Sequence, residues 1–376
     1  MSLPTTGVLT PTATDFLQGV FTFLPIRCAK ALSRVARSKK LHGDQLFDVI
    51  CLGIIIMGVW VLRHVRPSWI YFWMKDITAE FMKIHAIYLA LEISDKILCN
   101  FGVDVLESLS GTCTLFVTGD PRVGLRHLLP DSLLAFVTIT MHGLVIMCHG
   151  MVWSVAMTSS QNTLVALLIA SNFTEIKGTV YKRFDPSKLQ DLACQDIVEL
   201  FHLMLSMLFV AVEDMCNSNT SWPSSEVVKE CTRIILAEIV VDIIKHAVLG
   251  KFSDVQPGVY REFFKDICDR AMHSQSHNAH RHMGFAPHGA AILAMRIVIS
   301  VLFMGWQPGK SLPVSSWLAR LSALGLAWSA LFACKVALGY GIRIVAVGYS
   351  NHFNRRFGRP KTPRGIARTG SRAKAD

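Results

Sequence analysis

Four side chains close together in the sequence have the types and spacing to do chemistry: Glu238, Asp242, Lys245 and His246. On a helix turning 100° per residue, Glu238, Asp242 and Lys245 fall within roughly 60° of one another, so two carboxylates and an ammonium share one stripe. Carboxylates inside a membrane are costly and often mark proton relays or cation sites of transporters. The leading reading is an internal ion pair around Lys245 that fixes helix packing; a wet face on a helix outside the bilayer is the third option. A second concentration, His273, His277, His280, His282 and His288, opens with the i, i+4 spacing that holds zinc on a helix face. Only Cys268 and Asp269 lie near enough to complete a ligand set, so this stretch reads as a solvated, mildly basic loop. No metal, cofactor or catalytic set is assigned, and GxGxxG, P-loop, HExxH and GxSxG patterns are missing from any convincing context. Asn219-Thr220-Ser221 is an N-glycosylation acceptor, whereas Asn172-Phe173-Thr174 reads as accidental. The ten cysteines form no CxxC pair and read as small core residues.

The elements that must position these groups are membrane helices. The 376 residues are 51% hydrophobic and only 17% charged, a balance wrong for two soluble domains, and mean hydropathy is +0.39. A helix needs about 20 apolar residues to cross the hydrocarbon core, and 132–157 supplies such a run without an Asp, Glu, Lys or Arg. The other expected spans are 46–65, 197–212, 232–250, 288–306 and 317–342. Segment 16–26, interrupted by Pro25, reads as too short to cross, and 69–109 reads as one amphipathic helix with Ile84, Ile87, Leu91, Leu98, Phe101 and Val105 on its apolar side.

Charge costs separate these candidates. A central charge costs roughly 2.5–3.5 kcal/mol and each large aliphatic residue returns roughly 0.3–0.6. Arg296 is therefore offset by its apolar neighbours. Arg233, Glu238, Asp242 and Lys245 together cost on the order of 10 kcal/mol against about half that in return, so 232–250 does not insert alone. The net charge of +11 is concentrated beside apolar segments, in 27–40 and from Arg343 onward, which favours the positive-inside explanation over nucleic acid. With the tail cytosolic, loops 158–196 and 250–287 are also expected in the cytosol. Segments 197–212 and 232–250 must then both cross or both stay out, giving six spans or four.

Four blocks resemble the transmembrane anterior posterior transformation family: IHAIYLALEISDKILCNFGVDVLESL from Ile84, SNFTEIKGTVYKRF from Ser171, AEIVVDIIKHAVLGKFSDV from Ala237 and MGFAPHGAAILAMRI from Met283. The resemblance runs over roughly 16–345 and picks out Glu175, Lys177, Glu238, Asp242, Lys245 and His246. It implies a polytopic protein of the endoplasmic reticulum without catalytic activity, linked to protein folding, quality control or secretory traffic, and a SUN-like membrane glycoprotein as partner besides the lipid bilayer. The His-rich region departs from the family pattern. The expectation is thus an all-α helical membrane bundle with amphipathic helices: a polar and basic segment 1–45, a membrane domain 46–342 of four to six spans, and a disordered basic tail 343–376. Its function is expected to be that of a scaffold or adaptor, with a transporter or ion channel using the Glu238, Asp242 and Lys245 stripe as the alternative.

Overall fold

The computed structural model describes residues 3–37, 42–77, 81–119, 124–159, 170, 188–220, 222–252, 261, 264–265, 268, 286–303 and 314–357. Among these residues the ordered elements are helices: α1 (Leu3–Ala36), α2 (Gly43–His64), α3 (Pro67–Ile77), α4 (Phe81–Thr118), α5 (Leu125–Ser159), α6 (Lys188–Ser218), α7 (Ser225–Phe252), α8 (His288–Leu302) and α9 (Val314–Phe357). The all-α membrane architecture is as expected. Four of them are long and apolar enough to cross a membrane: Gly43–His64, Leu125–Thr158, Gln195–Ser218 and Trp317–Arg356.

α5 is the central element, packed against α2, α3, α4, α6 and α8. Its glycines make the close approaches possible. A Cβ on Gly143 would lie 3.1 Å from the Gly289 carbonyl of α8, and one on Gly150 would lie 3.1 Å from the Phe209 ring of α6. The register against α4 is antiparallel: Tyr88 stacks on His149 and Asp95 meets His142, seven residues on in one helix and seven back in the other. One long core forms around Ile146, Met147, Trp153, Phe209 and Leu293, and a second around Cys51, Leu62, Leu109, Ala135 and Ile292.

Several sequence expectations change in detail. Segment 16–26 belongs to a 34-residue helix that continues through Pro25. Proline lacks the N–H that would bond the carbonyl four residues back, which is that of Phe21. The Trp328 indole of α9 donates to this carbonyl at 3.1 Å, so a neighbouring helix supplies the missing donor. Segment 69–109 is two helices, α3 and α4, and α4 continues to Thr118. Its seam onto α5 runs through Ile84, Asp95, Cys99, Val105 and Leu109, while Phe101 is exposed.

The basic tail does not begin at 343, because α9 continues to Phe357. Ala346 and Phe353 are buried there with Phe264 and Cys268, and Tyr349 meets the Phe264 ring at 4.4 Å. Residues 358–376 lie outside the described residues.

The expected span at 288–306 is a 15-residue helix, which rises only roughly 22 Å against the ~30 Å hydrocarbon core. Of the two segments expected to cross or stay out together, that of α6 meets the length and apolarity conditions for a span and that of α7 does not. Arg296 and Arg320, the arginines of the last two apolar segments, both bond helix-end carbonyls. Arg296 donates to Leu62 and Val65 at the C-terminus of α2 at 2.7 and 2.9 Å, and Arg320 donates to Leu302 at the end of α8. The last carbonyls of a helix have no partner of their own, so a buried guanidinium is satisfied where it satisfies them. Asp48 is buried on α2 and meets Arg27 of α1 at 3.7 Å.

Candidate functional site

The charged stripe on α7 folds inward onto α6. Glu238, Asp242 and Lys245 are buried, and Lys245 is the most enclosed of the three, 2% exposed. Its ammonium lies 2.8 Å from Asp196 of α6 and 3.3 Å from Asp242, one turn back on its own helix. His246 Nε2 meets the other Asp196 oxygen at 3.0 Å. Asp196 is thus the hub of the cluster, and its contacts with Lys245 and His246 join two helices away from water. A buried pair of this kind adds little net stability over apolar packing, but breaking it strands a charge. Burial pushes the Asp242 carboxyl up to about 6 even with Lys245 beside it.

Glu175 and Lys177 lie outside the described residues, as do His273, His277, His280, His282 and Asn172. Asn219 is exposed at the turn between α6 and α7, with φ of 52°, a left-handed conformation that asparagine tolerates better than most residues.

A second buried polar cluster, which the sequence reading did not assemble, sits at the junction of α4, α5 and α6. His142 Nε2 is 3.0 Å from Asp95 Oδ1, and His202 Nδ1 is 2.9 Å from Asp95 Oδ2. The two imidazoles meet edge to face with ring centroids 5.2 Å apart. His142 occupies the middle of the long apolar stretch of α5, and His202 lies seven residues inside the apolar stretch of α6. One ligand atom from each of Asp95, His142 and His202 lies within 4.8 Å of the other two, the donor types that transition-metal ions take.

Both clusters were partly legible in the sequence. Asp95 stands at the helical phase of Tyr88 and Leu109, within the apolar seam of α4, and His142 interrupts a run free of other charge-bearing types except His149. A charge at a seam position must find a partner across the seam. Asp196 carried no such signal, because the burial of its end of α6 depends on α7 folding back over it.

A family model described as the eukaryotic membrane protein family matches residues 41–351. Among curated relatives, the chain is 25% identical over 344 residues to Protein POLLEN DEFECTIVE IN GUIDANCE 1 of Arabidopsis thaliana, covering 90% of this chain and 54% of that protein. It is 24% identical over 351 residues to the Protein TAPT1 homolog of Caenorhabditis elegans, covering 90% and 46% respectively. It is 29% identical over 303 residues to the Transmembrane anterior posterior transformation protein 1 homolog of Homo sapiens, covering 75% and 52%. The chain therefore spans about half the length of the curated relatives it matches. No solved structure matches it. With the family model covering most of the chain, and transmembrane anterior posterior transformation proteins among its relatives, this protein belongs to the eukaryotic membrane protein family.

Proposed function

We propose that this protein is a non-enzymatic scaffold or adaptor of the endoplasmic-reticulum membrane that supports protein folding, quality control or secretory homeostasis. The observation that carries this reading is the enclosure of Lys245 between Asp196 and Asp242. Ionic groups that pair across a helix interface hold the bundle in one arrangement, leaving apolar outer surface for lipid and for partner helices. α9 offers the longest such surface, with Leu318, Leu321, Leu326, Tyr340 and Ile344 all at least 60% exposed. A SUN-like membrane glycoprotein is the partner to test first.

The proposed topology has four crossings, α2, α5, α6 and α9, with the 27–44 segment, the 160–187 loop and the tail in the cytosol. The charged α7 and the short α8 then pack within the bundle without crossing, and Asn219 faces the lumen. This keeps both basic ends inside, as the positive-inside rule asks, and moves the 250–287 loop to the lumen. An endoglycosidase-sensitive mobility shift lost on Asn219→Gln supports it; an unshifted band in a glycosylation-competent expression system counts against α6 crossing.

The rival reading, a transporter or channel, is favoured by one observation: a carboxyl, Asp242, buried inside the bundle beside Lys245. Reconstitution in liposomes separates the two. Ion-dependent flux abolished by Asp242→Asn overturns the scaffold. Partner recovery from membranes, lost on disruption of the bundle and without flux, supports it.

A further inference from the structure

We propose that Asp95, His142 and His202 form a binding site for one divalent transition-metal ion of the zinc type, held between α4, α5 and α6. The ligand types are those of zinc, one carboxylate and two imidazoles, and three protein ligands leave a fourth tetrahedral position for water or a small ligand. Zinc bonds near 2.0–2.1 Å place neighbouring tetrahedral ligand atoms roughly 3.3 Å apart. His142 meets Asp95 Oδ1 at 3.0 Å and His202 meets Asp95 Oδ2 at 2.9 Å, and with one ligand atom taken from each residue all three separations lie within 4.8 Å. A bound ion would draw one Asp95 oxygen and both rings onto a common point, with the proton of each neutral imidazole moved to its other nitrogen.

Charge supports a cation here. Asp95 brings one negative charge into a buried pocket with neutral-capable imidazoles. The nearest lysine along α4, Lys96, is directed to Glu92 at 2.8 Å and to Glu199 at 3.9 Å. The Asp196 cluster, by contrast, contains its own ammonium.

The site is also held in place. A Cβ on Gly289 of α8 would lie 2.6 Å from His142 Nδ1 and 3.0 Å from His142 Cβ, so the α8 backbone forms a wall against that imidazole. His202 is fixed on a helix whose next turn donates Ser206 Oγ to the Ile146 carbonyl of α5 at 3.2 Å. Ligands whose positions are set by packing bind without first paying to be ordered. A metal at this point ties three helices together side by side, and it does so independently of the scaffold reading.

The full-length protein in lipid nanodiscs, stripped with chelator, is titrated with zinc chloride and with cobalt(II) chloride. One zinc per chain that survives desalting is expected, with cobalt giving the visible bands of a four-coordinate site. Asp95→Asn and His142→Ala should each weaken zinc binding by at least ~10- to 100-fold. His202→Cys should add a near-ultraviolet thiolate-to-cobalt band that the unaltered protein lacks, which reads the site without depending on the folding of a ligand deletion. Replacing His273, His277, His280 and His282 together by Gln should leave binding intact. The proposal is overturned by a chain that retains no zinc, by unchanged affinity in folded Asp95→Asn, by no new band in His202→Cys, or by binding that vanishes only with the His-rich segment.

Discussion

The two buried polar clusters share a helix and differ in how their charge is balanced. Asp196 and His202 stand six residues apart on α6, roughly 9 Å along its axis. Around Asp196 the chain supplies both signs: the Lys245 ammonium lies between the Asp196 and Asp242 carboxylates, with His246 on the second Asp196 oxygen. Around His202 it supplies a single carboxylate and two imidazoles that a cation would complete. The first cluster is self-contained and serves as a clamp between α6 and α7. The second is a donor set built by three helices, which is what a binding site requires. Burial alone does not distinguish them; the ammonium built into the first does.

This contrast can be broken experimentally, beginning where the effect is largest. Lys245→Met leaves Asp196 and Asp242 buried without their ammonium, and a loss of about 3–5 kcal/mol is expected. The measurement is thermal unfolding followed by size-exclusion chromatography in detergent. A variant as stable as the parent would remove the clamp. For the histidine cluster the sign is reversed, because adding an ion should stabilise. Zinc at a hundredfold excess over its Kd raises stability by about 2.7 kcal/mol in the unaltered protein and in a folded Lys245→Met variant, but not in His142→Ala. An equal zinc response in all three would place the ion elsewhere.

Gly289→Ala sharpens the comparison further. It forces a methyl against the His142 ring and should cost about 1–3 kcal/mol through overpacking, with a reduced zinc response and an undisturbed Asp196 cluster. The smallest effect belongs to the partly exposed Arg233 and Glu230 pair, 3.0 Å apart on α7. Glu230→Gln should change stability by less than ~0.5 kcal/mol, since water and salt screen such pairs. A large loss there would mean that α7 is more enclosed than its pairing with α6 accounts for.

How much of this was readable beforehand follows from what each signal depends on. The apolar runs of α2, α5, α6 and α9 were legible because crossing a bilayer is a property of one segment at a time. The α7 stripe was legible because helical periodicity places Glu238, Asp242 and Lys245 on one face. Its partner Asp196 was not, since nothing local marks a carboxylate that will be covered by a later helix. The tail boundary was misplaced because Arg343 suggested an end, while Ala346 and Phe353 continue the buried face of α9. Pro25 suggested a break, but Trp328, some three hundred residues away, supplies the hydrogen bond that proline cannot.

The sequence by itself determined that this protein is a helical membrane bundle, where its longest apolar runs lie and which helix carries a costly charged face, because hydropathy and periodicity are local sums. Only the tertiary structure decided the pairings: Asp196 with Lys245, Asp95 with His142 and His202, Arg296 with the end of α2. The physical reason is that a buried charge is tolerated only through groups brought to it from elsewhere in the chain, and those groups are chosen by packing.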